Sequence, residues 1–437
     1  MEMQERFHQK QNDPEGLEQL YQQALRQKSA DDFSLAVQAA YTGAPDNPLF
    51  AAWHYRLGAA VEVTRHILWK YAIPLSVLCG LIFWFLSDMK FEYLDAVPLL
   101  VLLASPVAAI AVLAYLSLAS RKGLGLAAGL SLGLIAFTAY ALLMVPGMPS
   151  FFQDHAVTLM LIHLPVLSLA TVGIYLTGLS TGLNAQPQRR FAFVIKTFEV
   201  VTTGGLFAIA IAIFGAITFG LFDALGIQLS EVVTRLIFAG GGGMLPVLTV
   251  AIIYNPHQPP EEQDFSQGLS RFLANLLRIM ILPTLFVAVL YVLFIPFNFM
   301  EPFNNRDVLF IYNGMLFAVM ALLVGATPIH TRDLPQRLQV WLRYAILAVA
   351  ALAVLVSLYA LAAILYRTFM AELTMNRLTV IGWNVINISV LVSLLFRQFS
   401  RAGSEWALGL KQAFNFAAVA YSVWAAFLVL AIPLLFR

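Results

Sequence analysis

The sequence predicts an all-α protein, a polytopic bundle of about eleven transmembrane helices preceded by a small helical segment. Three observations carry that fold class. Long apolar runs recur from Ile67 to the C-terminus, and a hydrocarbon core about 30 Å thick takes roughly 20 residues of helix to cross. Hydrophobic residues make up 60% of the 437-residue chain and charged residues only 11%. The Lys and Arg gather in alternate loops, as in a chain threaded back and forth through a bilayer with its basic loops in the cytoplasm.

Residues 1–66 read as short helices. Asp13-Pro14 is an N-cap followed by proline at N1, opening a helix through about Lys28. Ser29 with Asp32 resembles a capping box, with Asp in place of the usual Glu or Gln, and starts a second helix through about Tyr41. Thr42-Gly43-Ala44-Pro45 breaks it, and Asp46-Asn47-Pro48 opens a third. There Phe50, Trp53, Leu57 and Val61 recur at helical spacing beside Arg56 and Arg65, the pattern of a helix lying partly in the cytoplasmic interface. The paired short helices resemble one helical-repeat unit, which does not bury its own face. Docking on the membrane domain or on a protein partner is therefore expected. The first apolar run is long enough to span and is expected to act as its own insertion signal, without a cleavable signal peptide.

Residues 67–437 form the predicted membrane domain, with spans at about 67–87, 97–119, 123–145, 157–179, 198–221, 232–253, 276–297, 308–326, 343–366, 378–396 and 412–435. Starting from a cytoplasmic N-terminus, 20 of the 26 basic residues fall inside and 6 outside. Lys122, Arg189, Arg190, Lys196, Arg343 and Lys411 are among the inside set; Lys90, Arg235, Arg306, Arg367, Arg377 and Arg437 are outside. The bias predicts an external C-terminus and an odd span count. A polar connector near 254–270, with Pro256, Pro259, Pro260, Glu261, Glu262 and Asp264, is the cytoplasmic midpoint of the domain. The external loops are short, acidic and aromatic.

The composition narrows function mainly by what it excludes. A formal net charge of +2 gives no reason to expect a nucleic-acid partner, since the basic residues are accounted for by topology. The single cysteine, Cys79, lies in the first apolar run. There is no CxxC or Cys/His cluster for a metal or haem, and no cofactor signature. Charges are nearly absent from the span centres, where ion-coupled transporters usually keep an acid or a histidine.

The polar and irregular residues that do enter the spans are the site candidates. His163 lies in the fourth span, followed by Pro165. With no second histidine or acid beside it, it reads as an interhelical hydrogen-bonding residue before a relay or a metal ligand. Glu199, near Lys196 at the start of the fifth span, reads as a solvated interfacial charge, and Thr202-Thr203-Gly204-Gly205 after it as a close-packing face. Gly240, Gly241, Gly242 and Gly243, followed by Pro246, form the strongest irregularity in the membrane. They predict a bent or unwound sixth span, serving either as a binding site or as a groove for another helix or a lipid tail. In the tenth span Asn384 and Asn387 stand three apart on one face, able to line a cavity or to bond neighbouring helices, with Asn313 and Asn415 as candidate partners.

Leu373-Thr374-x-Asn376-Arg377-Leu378, followed by Gly382-Trp383-Asn384, resembles a GLTxNR-type signature that enters a late transmembrane helix in an uncharacterised bacterial family of multi-pass proteins, one of the domain-of-unknown-function families. The match covers roughly 365–395, under a tenth of the chain, and Glu372 stands where the family has glycine. The resemblance implies a bacterial cytoplasmic (inner) membrane and no established activity. Thr374 reads as a helix cap. Arg377 at a helix N-terminus opposes the macrodipole, so an anionic partner is expected, either a carboxylate, with Glu372, Asp223, Glu231, Glu301 and Asp307 as candidates, or a lipid headgroup.

Three functions are carried forward. The first is transport or translocation of a small molecule or lipid, supported by the span count and the glycine-rich sixth span. The second is a non-catalytic membrane subunit, scaffold or sensor that binds a cytoplasmic partner through its N-terminal helices. The third, a lipid-acting enzyme, is disfavoured because such sites need convergent acids or histidines, and Asp154-His155 is too little.

Overall fold

The computed structural model describes every residue except 1–6, 8–9, 11–12, 27–29, 45, 62–66, 96, 179–186, 266–267, 332–333, 401–404 and 437, and the side chains at 25–26, 30–31, 57–61, 306–308, 310 and 399–400 are likewise left out. The capping role of Ser29, the interfacial placement of Leu57, Val61 and Arg65, and Asp307 as a partner for Arg377 lie outside the described residues. The chain divides into two compact units, 1–67 and 68–437.

The first unit holds α1 (Pro14–Arg26), α2 (Ala30–Gly43) and α3 (Pro48–Val61). Two of its helix starts follow directly from local sequence. The Asp13 carboxylate accepts the Gly16 N–H at 2.9 Å. The Asn47 amide oxygen accepts the N–H groups of Leu49 and Phe50 at 2.9 and 3.3 Å, filling donors that a helix N-terminus leaves open. Phe7, Leu17, Phe33, Val37, Phe50 and Trp53 close a shared core. The unit thus buries its own face, contrary to the expectation drawn from its size. Phe50 and Trp53, half of the stripe read as interfacial, belong to this core. Arg56 lies 4.4 Å over the Trp53 ring and pairs with Glu18 at 2.5 Å.

The second unit is a membrane helix bundle. Its helices are α4 (Trp69–Leu86), α5 (Leu99–Ser120), α6 (Leu124–Met144), α7 (Ser150–Thr177), α8 (Pro187–Ala224), α9 (Glu231–Ile253), α10 (Gly268–Phe294), α11 (Arg306–Ala326), α12 (Gln336–Met370), α13 (Met375–Ser400) and α14 (Trp406–Leu435). Among the described residues ten of these are long and apolar enough to cross a membrane, and the apolar part of α11, Ile311–Ala326, is shorter. The eleven apolar runs therefore all become helices, and ten of them have full spanning length among the described residues. Several exceed their predicted spans: α8 runs 38 residues, about 57 Å at 1.5 Å per residue, and carries Arg189 and Arg190 on its first turn. Between α4 and α5 a two-stranded hairpin, β1 (Glu92–Tyr93) with β2 (Val97–Pro98), stands where the sequence suggested only loop.

Loop contacts sort into two faces. On one, Tyr175 donates to the Lys122 carbonyl, Arg189 pairs with Glu261, Arg343 bonds Gln398 and Lys411 reaches the Ile329 carbonyl. On the other, Asp88 pairs with Arg235, Tyr93 donates to the Leu142 carbonyl and Tyr359 to that of Phe299. The first is called here the connector face. Among the described residues the two larger cores of the bundle lie among α10–α14 with Phe191 of α8, and among α5, α6, α7 and α14 with Met375 of α13; a smaller cluster packs Leu309 of α11 on Ala360, Ala363 and Ile364 of α12. The last helix, α14, packs on α13, α7 and α8 and joins them.

Candidate functional site

The sixth span is continuous. Leu236–Gly240 forms a π-helical turn, and Gly240 and Gly241 keep right-handed helical dihedrals as the α-helix resumes through Pro246 to Ile253. The irregularity is a local widening just before the glycines and not an unwound segment. At this level the helix packs closely against α4. A Cβ on Gly80 would stand 2.6 Å from the Gly240 carbonyl oxygen, and one on Gly243 would stand 2.6 Å from Phe83 Cβ and 3.0 Å from the Cys79 carbonyl. Only residues without side chains allow these backbones to come so close. Gly240 and Gly243 therefore form the groove for a neighbouring helix.

The opposite side of the same helix does something different. A Cβ on Gly242 would meet nothing within 4 Å, and neither would one on Gly205 of α8. Both line a cavity of about 490 Å³ between α5, α7, α8 and α9, within the size range of ligand pockets. Its walls are almost entirely hydrocarbon, including Val112, Leu116, Val172, Leu245 and Pro246. The Ser168 hydroxyl, 4% exposed, stands in the wall with no hydrogen-bond partner.

One end of the cavity is closed by Phe193, Lys196 and Tyr254. Lys196 sits one turn before Glu199 on α8, and its ammonium donates to the Glu199 carboxylate at 2.7 Å and to the Asp264 carbonyl at 2.7 Å, while lying 4.9 Å over the Phe265 ring. Ser270 of α10 donates to the same carboxylate at 2.5 Å. Glu199 is only 6% exposed, so it is not the solvated charge the sequence suggested. Its i,i+3 spacing from Lys196 was the available signal; the partner on α10 was not readable. The pair joins α8 to the connector and to α10.

The connector itself folds over this end. Gln263 is buried, accepting from the Asn255 N–H at 2.9 Å and donating to the carbonyls of Asn255 and Gln258 at 2.9 and 3.0 Å. Tyr254, just past the end of α9, is 5% exposed, and burial pushes its phenol above the usual tyrosine range, keeping it neutral.

The other polar candidates gather elsewhere, among α7, α11, α13 and α14. His163 is fully buried, with Nδ1 2.7 Å from the Leu159 carbonyl, and Nε2 accepts the Trp383 indole N–H at 3.2 Å. Both ring nitrogens are thus engaged, as expected of an interhelical bonding residue. Asn384 donates to Asn313 at 2.8 Å, and Tyr421 donates to Asn387, both asparagines being fully buried. Asn384 Oδ1 and Asn387 Nδ2 have no partner. Asn415 takes a different role, accepting from Arg190 at 3.2 Å. Among the described residues no group of three or more His, Cys, Asp or Glu is placed to hold a metal ion.

Thr374, Asn376 and Arg377 sit at the turn into α13, away from both clusters. Thr374 Oγ1 accepts the Arg377 N–H at 3.4 Å, a long capping bond. The Arg377 guanidinium donates to the backbone carbonyls of Ala371 and Glu372 at 3.2 and 2.5 Å. Among the described residues it bonds carbonyl oxygens of the turn and not the side chain of Glu372, Asp223, Glu231 or Glu301. The ion-paired arginine of this face is Arg235, 2.8 Å from Asp88 and also bonded to Ser87 and the Trp84 carbonyl. Comparison of the chain with protein-family models, with curated proteins and with solved structures finds no match.

Proposed function

We propose that this multi-pass membrane protein transports or translocates a lipid, loading it through the cavity between α5, α7, α8 and α9. The observation that carries the reading is a 490 Å³ space with hydrocarbon walls inside membrane-crossing helices. A polar solute has almost nothing to bond there, because burying its groups without partners costs several kcal/mol, roughly 2–7 for an amide or hydroxyl. A hydrocarbon chain meets no such penalty. The buried Lys196–Glu199–Ser270 cluster then acts as the closed end of the site, at the connector face. That face is cytoplasmic in this reading, with the N-terminus inside, and the membrane is the bacterial inner membrane that the GLTxNR-type resemblance implies.

Reconstitution of the full chain into vesicles containing a trace of fluorescent phospholipid tests the proposal directly. A membrane-impermeant quencher should bleach more than the outer-leaflet half in protein-containing vesicles, and Gly242→Leu should slow that loss. Bleaching identical to that of protein-free vesicles would reject lipid translocation. Orientation is checked by a Glu262→Cys variant in a Cys79→Ser background, because Glu262 is exposed whereas Gln263 is buried. Labelling of intact cells from outside would reverse the topology.

A second reading, a scaffold that engages a cytoplasmic partner, draws on the N-terminal unit. Its three helices close their own core and leave Leu35 and Tyr55 61% and 67% exposed.

A further inference from the structure

The cavity also says how and from where it is filled. It does not end in protein on all sides. Leu169 of α7 is 43% exposed and Val201 of α8 is 65% exposed, and Gly205 and Ala208 of α8 are exposed as well, yet all four line the cavity. Near the connector face the two helices touch, since a Cβ on Gly173 would stand 2.9 Å from the Phe193 ring. Beyond that contact the exposed residues form a mouth between α7 and α8, facing the hydrocarbon of the bilayer.

The mouth has a definite height. From Lys196 at the closed end to Ala208 is twelve residues of continuous helix, about 18 Å at 1.5 Å per residue. One leaflet is half of a hydrocarbon core about 30 Å thick, so roughly 15 Å. The cavity is thus about as deep as one leaflet is thick, and its closed end lies beside the connector.

Physical chemistry leaves one occupant. Water does not fill such a space, because a buried water needs two to four polar partners, and away from the Lys196 end the walls of α5 and α7 offer only the hydroxyls of Ser105 and Ser168 among hydrocarbon. An empty void forfeits dispersion contacts along its whole lining. A bilayer chain standing at the mouth is as apolar as the walls, so it enters without a transfer cost and restores those contacts.

We propose that one acyl chain of a phospholipid from the leaflet on the connector side enters sideways between α7 and α8 and lies against Gly205 and Gly242, with its headgroup at the level of Lys196 and Tyr254. The inference rests on the lipid reading above and gives it a leaflet, a portal and a stoichiometry of one chain. Selectivity is by shape and not by apolarity, since any chain is equally at home in the surrounding membrane.

The test uses the full chain in nanodiscs of mixed phosphatidylcholine and phosphatidylglycerol carrying a trace of phosphatidylcholine with a terminal diazirine on one acyl chain. A parallel arm carries the same diazirine on a free fatty acid. After irradiation, adducts are mapped by peptide mass spectrometry. The expected result is enrichment at Val201, Ala208 and Gly242 over Leu132 of α6, which is 67% exposed and remote from the cavity lining. Gly242→Leu fills open space and should abolish the cavity adducts while leaving those at Leu132 and the melting temperature unchanged. Gly205→Leu is the second filling variant and should act alike. Cavity labelling no greater than at Leu132, or unchanged in both variants, would overturn the proposal. Labelling by the fatty acid but not by the phospholipid would overturn the phospholipid as occupant. Loss of translocation with the cavity adducts intact would reject transport and leave the chain-binding site standing.

Discussion

Replacing Lys196 by Met takes the cation out of a buried ion pair at the end of the cavity. The two side chains are 2% and 8% exposed, with Nζ 2.7 Å from Glu199 Oε2. At that separation and an effective dielectric constant near 20, the Coulomb attraction is roughly 6 kcal/mol before desolvation is subtracted. Both groups are already desolvated in the fold, so the single variant leaves Glu199 as a buried, uncompensated charge held by Ser270 alone. Breaking a buried pair from one side costs about 3–5 kcal/mol. Removing both partners, as Lys196→Met with Glu199→Leu, removes the penalty along with the attraction and costs much less than the sum. The double-mutant cycle should return a coupling of at least about 2 kcal/mol, well above the roughly 0.6 kcal/mol average of an interhelical hydrogen bond in a membrane. Ser270→Ala, which deletes one hydrogen bond to a charged group, should cost about 1.5–3 kcal/mol. Reversible unfolding of the purified full chain in micelles supplies the free energies. If both single variants unfold within about 0.5 kcal/mol of the parent, or the double variant equals the sum of the singles, the pair is hydrated in solution and the reasoning fails.

Three further outcomes are expected. Gly243→Leu drives a side chain into Phe83 and the Cys79 carbonyl and should lower stability by about 1–3 kcal/mol or more; a variant as stable as the parent would refute the close approach of α4 and α9. Arg377→Gln should destabilise the turn into α13 by about 1 kcal/mol, whereas Glu372→Gln should stay within about 0.5 kcal/mol of the parent, because the bond goes to the Glu372 carbonyl; the reverse ranking would restore a carboxylate partner. The Lys90 backbone N–H, followed by the Arg235 guanidinium, holds the Asp88 carboxyl below its usual range. A depressed carboxylate stabilises the fold fully above its unfolded pKa of about 3.9 and loses that contribution as pH falls through the lower folded value. Asp88→Asn should therefore flatten the acid limb of a melting-temperature profile, and an unchanged limb would show that the pair contributes nothing.

Much of the architecture was legible in the chain. Crossing a bilayer forces long apolar runs whose backbone groups are satisfied within the helix, so each run announced a helix without reference to its neighbours. Asp13 and Asn47 announced helix starts for an equally local reason, since each cap bonds N–H groups within three residues of itself. The shared face of Asn384 and Asn387 was legible from their spacing, whereas the choice of Asn313 over Asn415 as the partner of Asn384 was not.

What the sequence could not decide was which face of each apolar helix meets protein and which meets lipid. In water the two faces of a surface helix differ in polarity and the pattern names the buried one. In a membrane, lipid and protein core are equally apolar, and that signal vanishes. Gly240, Gly241, Gly242 and Gly243 read alike along the chain. Only the packing of α4 and α8 around α9 sets Gly243 against Phe83 and turns Gly242 toward open space. Glu199 likewise looked like any charge at a membrane boundary until α10 brought Ser270 to its carboxylate. The sequence by itself determined the helices, because hydrophobic length is a property of single segments. The cavity, its mouth and its ion-paired end belong to the tertiary structure, because each is made by the distance between segments that lie far apart in the chain.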